Sequence, residues 1–528
     1  MTADAKATRK TPLTTSAASS MIGFAVNLVV TFLLTPYLIE MLDQARYGVW
    51  ALMLTVVGYA GILNLGIGPA VTRFVAQHLG ESNPAQARKC IQTSLGIMLV
   101  SGVVLMVLGA VGAEPLRRFL EVPDDLAAEF TAVVRIMSVV AAITLLFQVY
   151  AGVLRAYEKF PLENAIRAAQ AVVRGIGLAL CLYWGGDMVA LAYVWGGVMV
   201  ASLVAVGAAA KATCPAASLS PLGGDRRTFV VLMTFGAAIT IVSVANVFRF
   251  RLGNFIAAKY LTFQAVGLFN IASMIAGYFM TLVSVPMGVL LPRFSRQAGE
   301  GDDEGLARLF FRSARLNAVF ASLTGVTILI CSDGFLRLWL AGKYSPEQLG
   351  TCNGVLAVLV GVYVLGLSQV GSISLIYGKR RERFVTGLNV CEGAVILALS
   401  LVLVQTHGLL GMAVAIAGPM AASKLLIQPW FVSRLMGVTL AAFYRRCLVG
   451  PWALAGALYG IYWFLRPHLP ITNWPALVVM GAVTSLAYGV PAYFGLIDPA
   501  DRARIPVVSS LARMLARRRR SDGPGPTT

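Results

Sequence analysis

The chain has 528 residues, of which 58% are hydrophobic and 13% are charged, whereas soluble domains carry about 25% charged residues. This composition excludes an ordinary soluble enzyme or binding domain. The formal net charge of +19 would suit nucleic acid, but the basic clusters lack stacking aromatic residues and a nucleic-acid-binding fold, so no nucleic-acid partner is predicted.

Apolar runs of about 20 residues follow one another along the sequence, and each is long enough to cross a hydrocarbon layer about 30 Å thick as a helix. The runs are uniformly apolar rather than alternating, which favours helices over barrel strands. We therefore predict an all-α polytopic membrane protein of about 14 transmembrane helices. The predicted spans are residues 18–39, 47–69, 91–113, 131–154, 162–184, 188–210, 229–257, 264–291, 312–331, 353–377, 384–404, 409–432, 447–465 and 474–496.

The distribution of Lys and Arg predicts the orientation of these spans. With the N-terminal tail inside, the even-numbered loops and both tails contain 30 basic residues, and the odd-numbered loops contain 7. Cytoplasmic loops carry an excess of Lys and Arg, and such clusters also contact anionic membrane lipids. We therefore predict a cytoplasmic N-terminal tail over 1–17, a cytoplasmic linker over 211–228 and a basic cytoplasmic tail over 497–528.

A few charged residues lie inside the spans, beyond the first turn of each. They are Arg135, Arg167, Arg174, Arg249, Arg251, Lys424 and Glu392. A charge in the hydrocarbon layer is costly, so such residues usually face a bundle interior or a wet cavity. Because one acid cannot pair with six cations, we expect an electropositive interior that suits an anionic ligand.

Depth within the span separates cavity candidates from side chains that can reach the membrane surface. Arg135 and Arg167 lie about five residues from a span end, where snorkelling explains them without a function. Arg174 lies about twelve residues, or about 18 Å, into its span, so we predict that it faces a cavity. Lys424 lies about eight residues from the cytoplasmic end, and for it both interpretations stay open.

Helical spacing favours Arg249 over Arg251 as a cavity residue. The two are two residues apart, so on a helix they point about 200° from each other. Ser243, Asn246, Arg249 and Gly253 follow a 3–4 spacing, which makes one polar stripe. Arg251 remains the second candidate of the pair.

Polar side chains and one acid complete the predicted site. The amides that could hydrogen-bond a sugar are Asn27, Asn246, Asn270 and Gln369. Glu392 could carry a coupling proton or pair with a basic residue. The histidines His78, His407 and His468 lie far apart, and the cysteines show no C-x-x-C spacing, so no catalytic, metal or cofactor site is predicted.

The sequence also contains an internal repeat. Residues match at an offset of 219 and, after one inserted residue, of 220. The matched pairs include Asn27 with Asn246, Gly48 with Gly267, Gly58 with Gly277, Tyr59 with Tyr278, Arg73 with Arg293 and Phe74 with Phe294. Each unit holds an even number of spans, so the two copies have the same orientation in the membrane.

Parallel repeats predict two six-helix lobes around a central cavity, as in an alternating-access carrier. The N-lobe covers 18–210, with spans one to six, and the C-lobe covers 229–432, with spans seven to twelve. Two additional C-terminal helices lie in 447–496. We further expect spans one, two, seven and eight to act as gates.

At this point the sequence resembles a known family. The stretch YGVWALMLTVVGYAGILNLGIGPAVTRFVAQ from Tyr47, the loop LRAYEKFPLENAIRA from Leu154 and the fourteen-span layout resemble bacterial polysaccharide flippases. These are the O-antigen or Wzx-type exporters of the multidrug/oligosaccharidyl-lipid/polysaccharide (MOP) superfamily.

The resemblance implies a non-enzymatic transporter of the bacterial inner membrane. Its substrate would be an undecaprenyl-pyrophosphate-linked oligosaccharide, moved from the cytoplasmic to the periplasmic leaflet through a cationic cavity between the two lobes. For such a substrate we expect the lipid tail to stay in the membrane and to pass through a gap between the lobes. It also implies a polysaccharide polymerase and chain-length machinery as partners. Three alternatives stay open. Two are transporters: a lipid-linked peptidoglycan-precursor flippase and a multidrug or organic-cation antiporter, although the latter would need more embedded acids. The third is a membrane glycosyltransferase or polymerase, which should carry a large external loop, whereas the longest predicted external linker, 114–130, is short.

Overall fold

The computed structural model describes residues 13–218, 220–250, 252–284, 294, 303–379, 381–498 and 502. Within these ranges every regular element is a helix, which confirms the all-α prediction. The first nine α-helices are α1 Leu13–Leu63, α2 Ile67–Gly80, α3 Pro84–Phe119, α4 Asp124–Ala156, α5 Phe160–Tyr183, α6 Met188–Thr213, α7 Arg226–Phe250, α8 Leu252–Tyr260 and α9 Phe263–Ser284.

A second group of helices follows the segment around residue 294. They are α10 Asp303–Trp339, α11 Pro346–Leu367, α12 Val370–Gly378, α13 Glu382–Ala422, the π-helix Ser423–Ile427, α14 Gln428–Leu435, α15 Leu440–Cys447, α16 Val449–Leu465, the 3₁₀-helix Arg466–His468 and α17 Trp474–Gly495.

Many of these helices are long and apolar enough to cross a membrane, as predicted for a multi-pass membrane protein. The described residues contain eleven such helices, and the bent pair Leu440–Cys447 and Val449–His468, with a 53° bend, makes a twelfth. Two of the eleven contain a non-helical residue, Asp43 or Gly408, in a loop predicted between two spans. With each of these two counted as a pair of spans, all fourteen predicted spans have a helical counterpart.

Local chemistry explains why α1 breaks at Asp43. This residue has φ 67° and ψ 171°, outside the helical region. Its Oδ1 accepts hydrogen bonds from the backbone N–H groups of Ala45, at 2.8 Å, and Arg46, at 3.0 Å. The carboxylate therefore caps the N-terminus of the following helical segment and satisfies its free donors.

The described residues form two compact units. The first comprises parts of Met1–Ala272, Leu340–Cys352 and Thr386–Ile416. In it, α4 packs against α2, α3 and α6, while α1 packs against α4 and α5. Its main apolar core includes Ile67, Val71, Ile91, Met98, Phe147, Val149, Leu154, Val206 and Leu232. The predicted lobe boundaries at 18–210 and 229–432 remain a prediction.

The second unit comprises parts of Ser273–Trp339, Asn353–Val385 and Ala417–Thr528. The long helix α10 runs through it and packs against α12, α15, α16 and α17. One apolar cluster surrounds Phe310 and Phe443, and another surrounds Ile330 and Tyr488. The helical path is interrupted between α11 and α12 and distorted at the π-helix, two irregularities of the kind often found near functional polar residues.

A repeated glycine lies at a close helix contact in the first unit. A Cβ added at Gly48 would lie 1.7 Å from the carbonyl oxygen of Phe263. Its repeat partner Gly267 faces the ring of Tyr47, 3.0 Å from the position of an added Cβ. The two copies of the repeated motif therefore contact each other through backbone that only small residues permit.

Candidate functional site

A polar cavity of about 420 Å³ lies inside the first unit, between α1, α4, α5 and α6. Its polar lining consists of Ser20, Asn27, Thr144, Gln148, Asn164, Arg167, Gln170 and Arg174. Its apolar lining consists of Gly23, Phe24, Val57, Phe147, Ala171, Trp195 and Met199. Among these described lining residues the only charged groups are two guanidinium ions, so the wall favours anions.

Helix α5 supplies most of the polar wall. Asn164, Arg167, Gln170 and Arg174 follow one another at spacings of three, three and four residues, and residues at these spacings share one helix face. The opposite face carries exposed apolar residues such as Val173 and Ile176. This division places polar groups against α1, α4 and α6 and leaves an apolar surface for the hydrocarbon layer.

Arg167 is held at the cavity by a buried carboxylate. Oε1 of Glu163 accepts a hydrogen bond from Nε of Arg167 at 2.9 Å, and Nη2 of Arg167 lies 2.8 Å from the same oxygen. Nε of Arg155 lies 3.5 Å from the other carboxylate oxygen, Oε2. The Arg167 guanidinium also lies 5.0 Å from the ring centre of Phe147. Two cations around one anion leave the cluster with a net positive charge.

Arg174 lies deeper in α5 and contacts an aromatic ring. Its guanidinium carbon is 4.3 Å from the ring centre of Trp195, a distance typical of a cation–π interaction. Trp195 in turn packs edge-on against the buried Trp50, with ring centres 5.8 Å apart. The aromatic pair orients the Arg174 guanidinium while Asn27 faces the same cavity from α1.

Arg249 and Glu392 form a second, separate cluster in the first unit. Nε of Arg249 donates to Oε1 of Glu392 at 2.5 Å, and Nη1 donates to Oδ1 of Asn389 at 3.2 Å. Both charged side chains are buried, with 8% and 1% of their surfaces exposed. The sequence left Glu392 open between proton coupling and ion pairing. The pairing exists, while coupling stays a prediction.

The remaining predicted amide residues of the first unit lie outside the described lining of the cavity. Asn270 donates towards the hydroxyl of Tyr47 at 3.5 Å and accepts from Asn254 at 3.4 Å. Asn254 also donates to Thr55 at 2.7 Å, so these groups make a polar chain between helices. Asn246 has an exposed side chain.

Gln369 and Lys424 lie together in the second unit. Both are buried, and Gln369 donates to the backbone carbonyl of Lys424. The Lys424 ammonium donates to Oε1 of Gln428 at 2.8 Å. This arrangement satisfies backbone groups freed at the helix break and at the π-helix. Arg251 lies outside the described residues.

The structure thus brings Asn27 and Arg174 to one cavity, Arg249 and Glu392 to one ion pair, and Gln369 and Lys424 to one polar cluster. Sequence reasoning assigned Arg167 to snorkelling, yet it lines the cavity beside Arg174. The spacing of Asn164, Arg167, Gln170 and Arg174 was the signal that would have found it.

Sequence reasoning named Glu392 as the one acid embedded in the spans, but the structure adds a second buried acid. Glu163 lies in the first turn of α5 but has a buried side chain, because Arg155 and Arg167 close over it.

Comparison with known proteins places the chain in a family. It matches the polysaccharide biosynthesis protein family over residues 13–297. EpsK, an uncharacterized membrane protein of Bacillus subtilis (strain 168), is 22% identical over 494 residues, which cover 92% of this chain and 95% of that protein. A putative O-antigen transporter of Shigella flexneri is 20% identical over 420 residues, which cover 79% of this chain and 97% of that protein.

Solved structures show the same fold. The lipid II flippase MurJ in an inward closed conformation superposes with a TM-score of 0.69 at 11% identity, covering 92% of this chain and 99% of that chain. An inward-facing multidrug resistance MATE family transporter of the MOP superfamily gives a TM-score of 0.62 at 17% identity. The superposition covers 79% of this chain and 99% of that chain. The predicted relationship is therefore confirmed: the chain belongs to the polysaccharide biosynthesis protein family and has the fold of MOP-superfamily transporters.

Proposed function

We propose that the protein flips a polyprenyl-diphosphate-linked oligosaccharide across the bacterial inner membrane, from the cytoplasmic to the periplasmic leaflet. The observation that carries the proposal is the cavity in which Arg167 and Arg174 stand among amide side chains, without an acidic residue in the described lining.

The charge and shape of guanidinium groups suit the diphosphate. Arg forms paired, charge-assisted hydrogen bonds with phosphate oxygens, and attraction between charges is stronger in a partly buried site than in bulk water. Arg167 and Arg174 are seven residues apart on α5, or about 10 Å along its axis. The two cations can therefore attract the diphosphate at successive depths.

The amides of the cavity suit the sugars. Asn27, Gln148, Asn164 and Gln170 line the wall, and an amide group can donate to and accept from hydroxyl groups. Nδ2 of Asn164 already donates to Ser19 and Ser20, so this side chain offers a sugar mainly its oxygen. No bond of the substrate has to break during such movement, so the proposed activity is transport rather than catalysis. The putative O-antigen transporter among the relatives supports this substrate class.

The cavity also distinguishes the proposed function from the two alternative transport functions. The two arginines would repel an organic cation, and the nearby Glu163 cannot attract one because it is already paired with Arg155 and Arg167. The cavity therefore disfavours an organic-cation antiporter. A lipid-linked peptidoglycan precursor carries the same kind of anionic head, and the fold likeness to MurJ keeps this second candidate. Rescue of cells depleted of their lipid II flippase would favour that candidate over the proposed one.

The central test is Arg174→Ala in a strain deleted for the native gene. We expect surface polysaccharide to fall by about tenfold or more, since one hydrogen bond to a charged group contributes about 1.5–3 kcal/mol. Lipid-linked oligosaccharide should accumulate while the variant protein remains in the membrane. Arg174→Lys should restore export only in part, because a lysine cannot form the paired geometry.

Arg135→Ala is the matched control. Arg135 is also an arginine within a span of the first unit, but its side chain is exposed and does not belong to the described lining of the cavity. We expect near-normal export from this variant. Normal export by an Arg167→Ala/Arg174→Ala double variant would contradict the proposed role of the cavity.

A further inference from the structure

A buried carboxylate lies directly behind the cationic wall of the cavity. Glu163 is buried in the first turn of α5. The next residue, Asn164, and Arg167, about one turn further along, both line the cavity. The proposed transport uses Arg167 and Arg174 to bind the diphosphate, but it leaves Glu163 without a part in choosing the ligand.

Glu163 is shared between two cations that belong to different helices. Its Oε1 lies 2.9 Å from Nε and 2.8 Å from Nη2 of Arg167 on α5, and its Oε2 lies 3.5 Å from Nε of Arg155 near the end of α4. Only 6% of the Glu163 side chain is exposed, against 27% for Arg155 and 39% for Arg167. A ligand in the cavity therefore meets the guanidinium group of Arg167, while the carboxylate stays behind it.

The carboxylate sets the charge that these arginines present to a ligand. It offsets one of the two charges of Arg155 and Arg167, so their cluster keeps one positive charge. Arg174, deeper on the same helix, adds a second positive charge. Because charges attract more strongly in a partly buried site than in bulk water, the number of charges affects binding as well as their position. Without Glu163 the same arginines would carry three positive charges.

Two positive charges match one form of a lipid-linked diphosphate. A diphosphate that joins a lipid to a sugar is a diester and carries two negative charges. Once the sugars have been transferred elsewhere, the lipid diphosphate is a monoester. Its terminal phosphate loses a further proton near pH 6, as phosphate monoesters do, so it carries one more negative charge at neutral pH. The two forms share the same tail and diphosphate, so charge and sugars are the features that a site can distinguish.

We propose that Glu163 is a specificity-determining residue, which matches the charge of the cavity to the sugar-bearing diphosphate diester and disfavours the more highly charged monoester. The inference rests on the proposed function. Each added positive charge attracts a triply charged ligand more than a doubly charged one. The carboxylate therefore lowers the affinity for the monoester by a larger factor than the affinity for the diester, and discrimination arises from this difference.

The test uses the full-length protein in detergent micelles with two soluble probes, symmetrical dimethyl diphosphate as the diester and methyl diphosphate as the monoester. Glu163→Gln removes the charge and nearly keeps the shape. At mildly alkaline pH we expect it to raise the affinity for the monoester relative to the diester by about tenfold, the effect of one additional pair of unit charges near a protein surface. Loosening of Arg167 would affect both probes, so the ratio of the two affinities reports the charge.

A charge-compensating variant separates the charge of Glu163 from its part in local structure. Arg155→Gln/Glu163→Gln removes one charge of each sign, so the affinity ratio should return close to the wild-type value. Glu163→Asp keeps the charge on a shorter side chain and should keep the ratio even if both affinities fall. Glu40→Gln is the matched control, since it removes a carboxylate that is 58% exposed and outside the described lining of the cavity. It should leave the ratio unchanged.

The outcomes separate this inference from the proposed function. An unchanged affinity ratio in Glu163→Gln, or a ratio that stays shifted in Arg155→Gln/Glu163→Gln, would overturn the role of Glu163, while weaker binding of dimethyl diphosphate by Arg174→Ala would still support the cavity. Unchanged binding of both probes by Arg174→Ala would instead remove the cavity as the diphosphate site. A ratio that Glu163→Gln shifts and the double variant restores, together with weaker binding by Arg174→Ala, would support both.

Discussion

The buried pair of Arg249 and Glu392 allows a test of whether an embedded ion pair stabilises the fold or is required for transport. Their side chains meet at 2.5 Å with almost no exposed surface, and the amide oxygen of Asn389 accepts a further hydrogen bond from the same guanidinium. Replacing Glu392 with Ala would leave a buried cation without its carboxylate. This change should therefore destabilise the first unit.

The expected size follows from the two contacts. Removing one partner of a buried ion pair costs about 3–5 kcal/mol. Because Asn389 still accepts from the guanidinium, we expect the lower end, about 3 kcal/mol. Replacing both charged residues, as Arg249→Met/Glu392→Leu, should bring stability back to within about 1 kcal/mol of the wild type, since an apolar pair avoids the desolvation of both ions.

The assay is a double-mutant cycle of Arg249→Met, Glu392→Leu and their combination, measured by unfolding with SDS in mixed micelles and by export from the same variants. The cycle isolates the energy of the pair from other effects of each substitution. Recovery of both stability and export in the double variant would assign the pair a structural role. Recovery of stability without export would show that transport requires Arg249, Glu392 or both, and Glu392→Gln, which keeps Arg249, would then test coupling through Glu392.

Glu40→Gln is the control, because the Glu40–Lys343 pair is similarly short, at 2.6 Å, but the carboxylate is 58% exposed. We expect this change to lower the free energy of unfolding by less than about 1 kcal/mol. If Glu392→Ala destabilised no more than Glu40→Gln, or if the double-mutant cycle showed no coupling, the reasoning from burial would be refuted.

The remaining predictions concern packing, topology and pH. Gly48→Ala should destabilise the protein by about 1–3 kcal/mol, because backbone of Phe263 occupies the space that the new Cβ would need. A Cβ added at Gly277 would meet nothing within 4 Å, so Gly277→Ala should leave the melting temperature unchanged or raise it. A cysteine at Lys379 should resist impermeant reagents added outside intact cells, and rapid labelling would reverse the predicted orientation. Lys259 donates to Glu121 at 2.6 Å and lowers the pKa of that carboxyl. The stability from this bond should therefore be present above about pH 4.3 and fall as the pH drops through the lowered pKa; a melt whose pH dependence was unchanged in Glu121→Gln would contradict this.

Much of the fold could be predicted from short stretches of sequence. In a membrane each segment must satisfy its backbone groups internally, so a long apolar run already specifies a helix. The breaks at Asp43 and Gly408 also fall inside loops that the sequence predicted, since an acid or a glycine between two apolar runs marks the end of a span.

Only part of the candidate site could be predicted, because the sequence pointed to Arg174 as a cavity residue but not to Arg167. The distance of a residue from the end of its span can be counted in the sequence, and this count placed Arg174 deep in the membrane. The same count placed Arg167 near a span end, where snorkelling explained it without a cavity. Arg167 reaches the cavity because Glu163 and the ring of Phe147 hold its guanidinium there. The ring belongs to another helix, α4, so counting residues within one span could not reveal it.

The sequence by itself determined the helices, the polar face of α5 and the excess of embedded cations, because these depend on the order of residues within a segment and on the solvent around it. Tertiary structure alone decided that Glu392 lies against Arg249, 143 residues away, and that Trp195 lies against Arg174. Which side chains neutralise, orient or expose a buried charge depends on which helices become neighbours. That choice arises from packing over the whole unit and not from any local pattern.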